Sequence, residues 1–585
     1  MSDWMNRPPL RLPYGLSSFR DIRQEGLAYV DKTPVIEALE HSGLRFPLFL
    51  RPRRFGKTLL TTMLMEYYDR ALAKDFDELF DGTYIYAHPT PLQGTFQVLR
   101  LDFSGIDAAQ ACRGFTEKLL LGMSGFFSRH PVPGCGEVLS AAYCKPSELF
   151  RAFCLKAAQR PDARLFVIID EYDLSANGIL ASASSAASGP ARRLESASPG
   201  GFLEDFYAEL RAQAACGLVS RVFITGVTSF TLDAVSAGFG LQQDVTTLPD
   251  FTAAAGFTEA ELRRLTAETL ILPAARMNED DLVARMLDHC GGWRFSPKRP
   301  EPVLNASMCL HYLSALQDTG EEAPVLLDPS FATDAGRLRL ILSLCSPNLV
   351  RRIMDAVLSS REIMPCGDAP AHAAAIDASG RLADAAALSV LSSMGFLTLA
   401  ESGAGLCAPN KAVLGLFFDC FFDAHFGAPP VLPVDALQAL SPRLAAGDCT
   451  PLLELAGRTL GRALRKSGGP GGLVHASGPM IGPLLKYALL TNPDYDVVLE
   501  DGPQCSGPSS VFLRPKRADQ DLAAHLIAVK CFAGSEGGTD AARAAHEALS
   551  ALRRLDGAEP FRSAKNLRKT AAVFVGLELA AVEAE

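Results

Sequence analysis

Short apolar runs alternate with helical patterns along the first half of the chain. Four of these runs are predicted to be strands: Phe46–Leu50, Val98–Phe103, Leu165–Ile169 and Arg221–Thr225. After the first run, apolar residues recur at i, i+3 and i+4, as at Leu60, Met63, Leu64 and Tyr67, which indicates a helix. Strands separated by helices predict an α/β fold with a mostly parallel sheet.

Punctuating residues mark the smaller elements and the loops. Thr33 followed by Pro34 is typical of a helix start, with Thr33 as the N-cap and Pro34 at the first helical position. The Ser/Ala/Gly-rich segment 175–200 lacks the apolar residues that would order it, so we interpret it as a mobile loop. The glycine-rich segment 468–472 predicts a linker or loop near the start of a C-terminal domain.

The pattern changes twice in the second half of the chain. A helical stretch from about Thr258 to Leu316 predicts a lid-like subdomain. Helices followed by a strand pattern at Gly395–Leu399, a turn and Pro409-Asn410 are typical of a small winged-helix-like unit. Strand-like runs then indicate a C-terminal α/β domain; they are Tyr495–Leu499, Val511–Leu513, Leu526–Val529 and Ala572–Leu577.

Composition places this pattern in an ordinary globular protein. Of 585 residues, 48% are hydrophobic and 21% are charged, and the net charge of -10 argues against a surface broadly coated by nucleic acid, although local basic patches remain open. No apolar run reaches the length of a membrane helix and the N-terminus lacks a secretory apolar region, so we expect a cytoplasmic protein without a membrane partner. Fourteen cysteines without a CxxC pair favour reduced, packed thiols over a zinc site.

The segment Arg51–Thr58 carries the first chemical signal. A strand, a tight turn and a helix start hold phosphates through backbone amides and the helix dipole. Lys57 adds a positive charge at the β- and γ-phosphates, and the Thr58 hydroxyl is the expected ligand of Mg²⁺. Gly56 completes the second half of the P-loop signature, whereas Arg51 stands where the generic pattern has glycine. The segment therefore predicts binding of ATP with Mg²⁺.

A second signal lies at the end of the run Leu165–Ile169. Asp170 is expected to hold Mg²⁺ directly or through water, and Glu171 to polarise the attacking water as general base. Solvated carboxylates at a strand end are the plainer alternative. Because both signals stand at strand ends in the expected order, they favour one ATP site in a P-loop NTPase fold.

Other residues have weaker signals. Thr225 closes a strand where a polar sensor of the γ-phosphate is expected, but a threonine there is also ordinary. Arg53 and Arg54 either bind phosphate or reach a neighbouring subunit or domain. The predicted catalytic residues are Glu171 and Lys57, and the predicted metal ligands are Thr58 and Asp170. The predicted ATP-binding residues are Arg51, Arg53, Arg54, Phe55, Gly56, Lys57, Thr58 and Thr225.

A series of motifs in order along the chain resembles the bacterial AAA-ATPase-like family, whose members carry a C-terminal PD-(D/E)XK nuclease-like domain. The motifs are Leu12–Gly15, Tyr29–Thr33, Arg51–Thr58, Asp170–Asp173, Ile224–Thr228, Gly256–Glu261, Gly292–Phe295, Leu304-Asn305, Gly395–Thr398 and Pro409-Asn410. In that family an arginine typically replaces the first P-loop glycine, which accounts for Arg51. The resemblance implies that Tyr29–Thr33 borders the nucleotide base, although a purely structural role fits equally.

The resemblance also implies a division of the chain. An AAA-ATPase-like P-loop domain is expected over 1–257, a helical lid over 258–335, a winged-helix-like region over 336–430, and a restriction-endonuclease-like α/β domain over 431–585.

The last domain departs from its family at the residues that hold metal. A PD-(D/E)XK site needs an Asp on one strand and an acid two residues before a Lys on the next. Here the segment 507–510 has no Asp and Ala528 replaces the second acid, while Lys530 and Glu500 remain. We therefore predict a nuclease-like fold that is catalytically inactive. Asp519 or Asp521 in the loop is the alternative source of a carboxylate, whereas Pro493-Asp494 is interpreted as a turn.

Three functions follow from these predictions. The leading one is an ATP-binding protein and Mg²⁺-dependent ATPase, whose degenerate nuclease-like domain serves binding or regulation. The alternatives are an ATP-regulated, metal-dependent nuclease acting on DNA or RNA, and a nucleotide-dependent scaffold that does not hydrolyse ATP. Basic residues of the C-terminal domain could contact a nucleic acid or protein partner, or be solvated; they are Arg514, Lys516, Arg517, Arg562, Lys565, Arg568 and Lys569.

Overall fold

A computed structural model describes most of the chain. The described residues are 9–107, 110–141, 143–160, 162–173, 201–228, 238–270, 278–299, 301–320, 332–359, 361–364, 382–426, 434–466, 480–490, 492, 494–500, 509–516, 522–532, 540–554, 564, 566–575 and 578–585. They form two compact units: unit 1 comprises Met1–Leu349 and Met364–Ala412, and unit 2 comprises Val350–Ile363 and Val413–Glu585.

A five-stranded sheet is the centre of unit 1. Its strands are β1 (Pro47–Leu50), β2 (Gln97–Asp102), β3 (Leu165–Asp170), β4 (Val219–Gly226) and β5 (Gln243–Asp244). The order is β2-β3-β4-β1-β5, and every neighbouring pair is parallel. All six residues of β3 are buried, as expected for a parallel strand covered on both faces. The predicted parallel α/β sheet is confirmed, with β5 as a short edge strand that the sequence pattern did not indicate.

Helices pack around this sheet. In chain order they are α1 (Phe19–Gln24), α2 (Pro34–His41), α3 (Lys57–Tyr68), α4 (Phe76–Phe80), α5 (Tyr84–Ala87), α6 (Ala111–Arg129), α7 (Cys135–Ser140), α8 (Pro146–Ala157) and α9 (Phe202–Ala215). The predicted start of α2 at Pro34 is confirmed. However, the Thr33 hydroxyl accepts a bond from the Ile85 amide at 3.1 Å instead of capping its own helix.

The predicted helical stretch after the sheet contains three helices, α10 (Glu259–Thr269), α11 (Glu279–Cys290) and α12 (Ala306–Thr319). Helix α10 begins with a capping box, in which Thr258 and Glu261 each bond the other's backbone amide. Extended residues between α11 and α12 pair back on the chain, with Trp293 opposite Val303.

The middle region contains α13 (Ala332–Leu344), α14 (Pro347–Ser359) and α15 (Asp384–Ser393), followed by the hairpin β6 (Thr398–Leu399) and β7 (Leu406–Cys407), and then α16 (Lys411–Phe426). The boundaries between the two units fall within α14, between Ile363 and Met364, and within α16. Helices, a short hairpin and a further helix are thus found in the predicted order, and the winged-helix-like interpretation of this region stays a prediction.

Unit 2 is built on a second, mixed sheet. Its strands are β8 (Tyr495–Glu500), β9 (Ser509–Pro515), β10 (Ala524–Phe532), β11 (Leu567–Val575) and β12 (Glu578–Ala584), in the order β12-β11-β10-β9-β8. Only β10 and β11 pair in parallel among these strands. The helices are α17 (Val434–Ala445), α18 (Thr450–Lys466), α19 (Ile481–Ala488) and α20 (Ala541–Arg553).

Three details of unit 2 correct the sequence analysis. Strand β9 begins at Ser509, so Ser509 and Ser510 lie within the strand that they were expected to precede. Strand β11 begins at Leu567, five residues before the predicted start, and β12 was not predicted. Neighbouring residues of β10 face opposite sides of the sheet, and Ile527 and Ala528 belong to two different apolar clusters. The sheet is therefore covered on both faces.

Some sequence predictions concern residues outside the described ranges. These are the loop at 175–200, the glycine-rich segment at 468–472, the candidate carboxylates Asp519 and Asp521, Pro493 of the predicted turn, and the basic residues Arg517, Arg562 and Lys565. Within the described part of the chain, none of the helices combines the length and the apolar character needed to cross a membrane.

Candidate functional site

The turn between β1 and α3, residues 51–56, is called the phosphate turn below. Gly56 is the N-cap of α3 with φ = 95°, a left-handed conformation that costs glycine little and other residues more. Arg54 is also left-handed, with φ = 67°. The amides of Lys57 and Thr58 follow in the first turn of α3, where a helix has no carbonyl to bond them. Both residues line a cavity, so these donors are available to an anion there.

Each carbonyl of the first part of the phosphate turn accepts a hydrogen bond. The Lys57 ammonium donates to the carbonyls of Arg51 and Pro52, both at 3.0 Å. The side-chain amide of Asn305, the N-cap of α12, donates to the carbonyl of Arg53 at 3.1 Å. A residue more than 250 positions away in sequence therefore holds part of the turn.

The remaining carbonyls are held in the same way by backbone amides. Ser307 donates to the carbonyl of Arg54 at 3.2 Å, and Gly256 donates to the carbonyl of Phe55 at 2.7 Å. Gly256 has no space for a side chain, because an added Cβ would lie 2.6 Å from the Val303 side chain. With these carbonyls engaged elsewhere, the turn offers amide hydrogens to a bound anion.

The cavity beside the turn has a volume of about 400 Å³. Its polar lining residues include Lys57, Thr58 and Glu171. Its apolar lining residues include Ile22, Ala28, Tyr29, Val30, Leu265 and Leu310. A cavity of this size that combines cationic and apolar lining residues fits a ligand that joins phosphates to a flat ring. The segment that was expected to border a nucleotide base supplies part of this apolar lining.

Lys32 also lines the cavity, and its charge is paired with the carboxylate of Glu261. Its ammonium donates to both carboxylate oxygens of Glu261, at 2.8 and 2.7 Å, and to the carbonyl of Ala253 at 3.0 Å. Burial lowers the pKa of Lys32, and the Glu261 charge opposes that shift. This ion pair fastens the segment before α2 to α10, beside the cavity.

Asp170, the last residue of β3, is almost fully buried. One carboxylate oxygen lies 3.3 Å from an Arg100 guanidinium nitrogen and 3.4 Å from the Thr61 hydroxyl, whereas the other oxygen has no hydrogen-bond partner. Burial raises the pKa of Asp170, opposed by the charges of Arg100 and Lys57. The Thr58 hydroxyl lies close to this carboxylate. An orphaned carboxylate oxygen beside a threonine hydroxyl is a donor set that fits Mg²⁺.

Glu171 follows in a conformation that is rare for residues with a side chain. Its φ is 52°, and it lines the cavity. Burial raises the pKa of Glu171, while the charges of Lys57 and Arg53 oppose the increase. Backbone in this region persists only where neighbouring contacts enforce it. The two residues that follow supply those contacts.

Tyr172 and Asp173 join the end of β3 to residues 226–228 at the end of β4, and we call this joint the strand clamp. The Tyr172 hydroxyl donates to the carbonyl of Thr228 at 2.6 Å. One oxygen of Asp173 accepts from the amides of Val227 and Thr228, at 3.2 and 2.8 Å, and from the Thr228 hydroxyl at 3.0 Å. A Cβ on Gly226 would lie 2.5 Å from the Tyr172 ring, so only glycine fits there. The strand clamp therefore holds the backbone of Glu171 in place.

Arg51, a predicted ATP-binding residue, lies beneath the phosphate turn and does not line the cavity. Its guanidinium donates to backbone carbonyls at 2.8–2.9 Å and lies 4.0–4.4 Å from two ring centroids. The acceptors are Leu50, Thr246 and Phe251, and the rings are those of Phe49 and Phe295. Burial lowers the pKa of Arg51 to about 9. The arginine thus supports the turn from below.

The structure separates the other predicted residues into two groups. Arg53, Arg54 and Phe55 line the cavity, and Arg54 also lies 3.8 Å from the Asp334 carboxylate on α13. Thr225 is buried on β4, and its hydroxyl donates to the carbonyl of Phe49 at 2.8 Å. It is not among the residues that line the cavity.

Several residues of the site had no role in the sequence analysis. Arg100 carries a recognisable signal, because it is a polar position inside the apolar run Val98–Phe103. Asp173 and Asn305 stand in motifs that were noted without a function. Their partners lie 55 and 252 residues away, a pairing that sequence spacing does not reveal.

In unit 2, the strand register shows what occupies the predicted acid positions. Ala528 on β10 lies opposite Ser510 on β9, and Ser510 in turn lies opposite Glu500 on β8. Ala528 is fully buried in an apolar cluster with residues of α20. The Lys530 ammonium lies 3.7 Å from the carboxylate of Glu547 on α20. A methyl group and a hydroxyl therefore stand where a metal-dependent nuclease of the predicted kind needs carboxylates.

Comparison with known proteins finds a family similar to part of unit 1. A family model described as Predicted AAA-ATPase matches residues 13–236, which include the phosphate turn, the end of β3 and the strand clamp. A similar solved structure is the Walker-type ATPase PABY2304 of Pyrococcus abyssi, with 13% identity over 70% of this chain and 98% of that chain, and a TM-score of 0.37. That likeness is too distant to support a functional argument. The chain has no match among curated proteins. Residues 13–236 are thus similar to the AAA-ATPase-like family, and the family match does not extend to unit 2.

Proposed function

We propose that unit 1 binds ATP with Mg²⁺ in the 400 Å³ cavity and hydrolyses it. The observation that carries this proposal is the set of polar groups at the cavity. The first residues of α3, Lys57 and Thr58, line it together with Glu171, and the Lys57 charge acts on both Glu171 and Asp170, whose second oxygen has no partner. These are the groups that phosphoryl transfer needs, and apolar residues that suit a base line the same cavity.

Positioning of the phosphates falls to Lys57 and the first amides of α3. The Lys57 ammonium donates to two carbonyls of its own turn, so it is already directed across the concave side of the turn. Rotation of the flexible side chain moves this charge from the carbonyls to a phosphate oxygen. Arg53 and Arg54 line the same cavity and add positive charge. Thr58 and Asp170 would hold Mg²⁺, which neutralises charge on the phosphates when bound.

Glu171 is the proposed general base. Its carboxylate lines the cavity, and the attacking water would donate a proton to it as the phosphorus–oxygen bond forms. The left-handed backbone of Glu171 displaces its side chain from the regular alternation of β3, and the strand clamp keeps it there. Burial raises the pKa of Glu171, and the Lys57 and Arg53 charges oppose that rise by favouring the ionised form that accepts a proton.

Unit 2 is proposed to be a nuclease-like module without nuclease activity, serving binding or regulation. Support comes from Ser510 and Ala528 at the positions where two acids are needed. Without those carboxylates, a divalent ion lacks the negative charge that draws it out of water.

The test combines ATP binding, measured by isothermal titration calorimetry with Mg²⁺, and phosphate release. We expect Lys57→Ala to weaken ATP binding by about 100-fold, equivalent to about 2.7 kcal/mol. Glu171→Gln should retain ATP binding, and its turnover rate should fall by a factor of about 10²–10⁴. Lys74→Ala is the matched control, because Lys74 is exposed and lies outside the cavity.

Three other results would lead elsewhere. If wild type does not bind Mg-ATP, or Lys57→Ala binds it equally well, the proposed site is wrong. Background turnover in both wild type and Glu171→Gln, with intact binding, would favour a non-hydrolysing scaffold. Metal-dependent cleavage of DNA or RNA that disappears with Lys530→Ala would show that unit 2 is an active nuclease.

A further inference from the structure

Four arginines lie along the amino-terminal edge of the sheet in unit 1, and we call them the arginine edge. Arg45 precedes β1, Arg164 precedes β3, Arg221 lies near the start of β4, and Arg70 follows α3 beside β2. Because the strands are parallel, this edge is opposite the carboxyl ends where the phosphate turn and Glu171 lie. The proposed ATP site and the arginine edge are therefore separate surfaces.

Backbone pairing sets the order of these arginines. The Arg45 carbonyl accepts a bond from the amide of Val222, the residue after Arg221, at 2.9 Å. The carbonyl of Arg164 accepts from Gln97, the first residue of β2, at 3.0 Å. Neighbouring strands lie about 5 Å apart, so four strands place the arginines in a row of roughly 15 Å. This row is too long to be occupied by a single phosphate group.

The side chains of the row crowd positive charge at the surface. The Arg164 guanidinium lies 4.3 Å from the ring centroid of Phe96, which holds it in a fixed plane. Arg45 and Arg164 are exposed, and Arg221 is half-buried. Partial burial lowers the pKa of Arg164, and the charges of Arg221, Arg45 and Arg70 lower it further. An anion bound along the row would relieve this mutual repulsion.

Carboxylates near the edge compensate only one end of it. Asp162 forms an ion pair with Arg70 and lies 3.7 Å from Arg160. Glu40 accepts hydrogen bonds from the hydroxyls of Tyr68 and Thr90, at 3.0 and 2.6 Å.

The other end of the row keeps its charge. Among the described residues, no carboxylate lies within ion-pair distance of Arg45, Arg164 or Arg221. Apart from a 3.5 Å bond from Arg221 to the carbonyl of Leu44, the described residues leave these three guanidinium groups to an external ligand, on a chain whose net charge is -10.

We propose that the arginine edge binds the phosphate backbone of a nucleic acid. A guanidinium fork matches phosphate geometry, and contacts of this kind need no apolar surface. A protein partner would instead bury an apolar core at its interface. None of the large hydrophobic side chains that are exposed in the described part of the chain belongs to the segments that carry these arginines. The absence of such a patch favours a nucleic acid over an acidic protein segment.

The test uses the full chain and a triple variant, Arg45→Ala, Arg164→Ala and Arg221→Ala. Its matched control removes three exposed arginines elsewhere in the protein, Arg113, Arg458 and Arg543, and so changes the net charge equally. Binding of a fluorescein-labelled 20-base-pair duplex and of a labelled oligodeoxythymidine is measured by anisotropy across a series of salt concentrations. We expect the triple variant to bind the duplex at least tenfold more weakly and the control to bind like wild type.

The salt series gives a second readout. Each lost phosphate contact should reduce the slope of log K against log salt by about 0.9 on duplex DNA, so the triple variant should lose about 2.7. An unchanged affinity and slope would overturn the proposal, as would a wild-type protein that does not bind at low salt. Selective loss of binding to a labelled polyglutamate peptide, with nucleic-acid binding intact, would assign the edge to an acidic protein partner.

A single charge reversal keeps the test valid if the triple variant does not fold. Arg45→Glu changes an exposed side chain, and Arg113→Glu is its control on another surface. Circular dichroism checks the fold of each variant. The proposal expects weaker binding only for Arg45→Glu, and equal binding by both variants would contradict it.

Discussion

The two sheets of this protein each carry a lysine near a predicted site, and among the described residues the two lysines have different neighbours. In unit 1, Asp170 is buried within reach of Arg100 and under the charge of Lys57. In unit 2, the corresponding position is Ala528, which is packed among the alanines of α20, and Lys530 lies at the surface beside Glu547. A fold therefore places residues at the edge of a sheet, whereas buried charges of opposite sign at that edge indicate a candidate catalytic site.

A carboxylate introduced at position 528 is expected to have the largest effect on the difference between the two sheets. We expect Ala528→Glu to destabilise unit 2 by about 3–5 kcal/mol, because the carboxylate would be buried without a partner. Amide hydrogen exchange of β10 measures this locally. The control Lys530→Ala changes a half-exposed side chain and should have an effect within about 0.5 kcal/mol. A stable Ala528→Glu protein that binds Mg²⁺ would mean that the nuclease-like site is nearly intact.

Arg51 tests whether the phosphate turn depends on a side chain that does not face the cavity. Arg51→Met leaves the carbonyls of Leu50, Thr246 and Phe251 buried without their donor, so we expect a loss of about 3 kcal/mol in stability and weaker ATP binding. Thermal unfolding and calorimetry measure the two effects. Arg51→Lys should not restore them, since one ammonium cannot reproduce the planar fork. Full restoration by lysine would contradict the supporting role.

Asp173 tests whether the strand clamp affects the rate of ATP hydrolysis in unit 1. Asp173→Ala removes the oxygen that accepts three hydrogen bonds, so the strand clamp loosens and Glu171 is less well held. We expect kcat for ATP hydrolysis to fall about tenfold, equivalent to about 1.4 kcal/mol, with the Kd for ATP unchanged. An increase in Kd with unchanged kcat would place Asp173 in binding instead.

His525 gives the smallest effect, in unit 2. Burial lowers its pKa from 6.5, and the hydrogen bond to the carbonyl of Leu444 opposes that shift without cancelling it. The unfolded chain therefore takes up a proton as the pH falls below 6.5, before the folded chain does. We expect stability to decrease between pH 7.5 and pH 5.5 in urea unfolding followed by circular dichroism. His525→Gln should remove part of this slope.

The sequence was most informative where chemistry and periodicity coincide. The run Leu165–Ile169 predicts a buried strand, and the acids after it mark the edge of the sheet, so β3, Asp170 and Glu171 followed from local pattern alone. Arg51 was expected in the phosphate turn, but its contacts with carbonyls near residue 250 could not be predicted, because folding brings those carbonyls to it. The pairing of strand β12 and the hydrogen bond of Asn305 depend on partners that folding brings together, and no local sequence pattern marks them.

The hydrogen bonds from Gly256, Asn305 and Ser307 to the phosphate turn have a consequence for variant effects across the chain. These three residues lie outside the segment matched by the AAA-ATPase family model, which ends at residue 236. A scan of substitutions scored by nucleotide affinity should therefore show sensitive positions well beyond the matched segment. Truncation of the chain near residue 236 would remove three hydrogen bonds that hold the phosphate turn. A fragment that retains the proposed nucleotide binding therefore has to extend beyond Ser307.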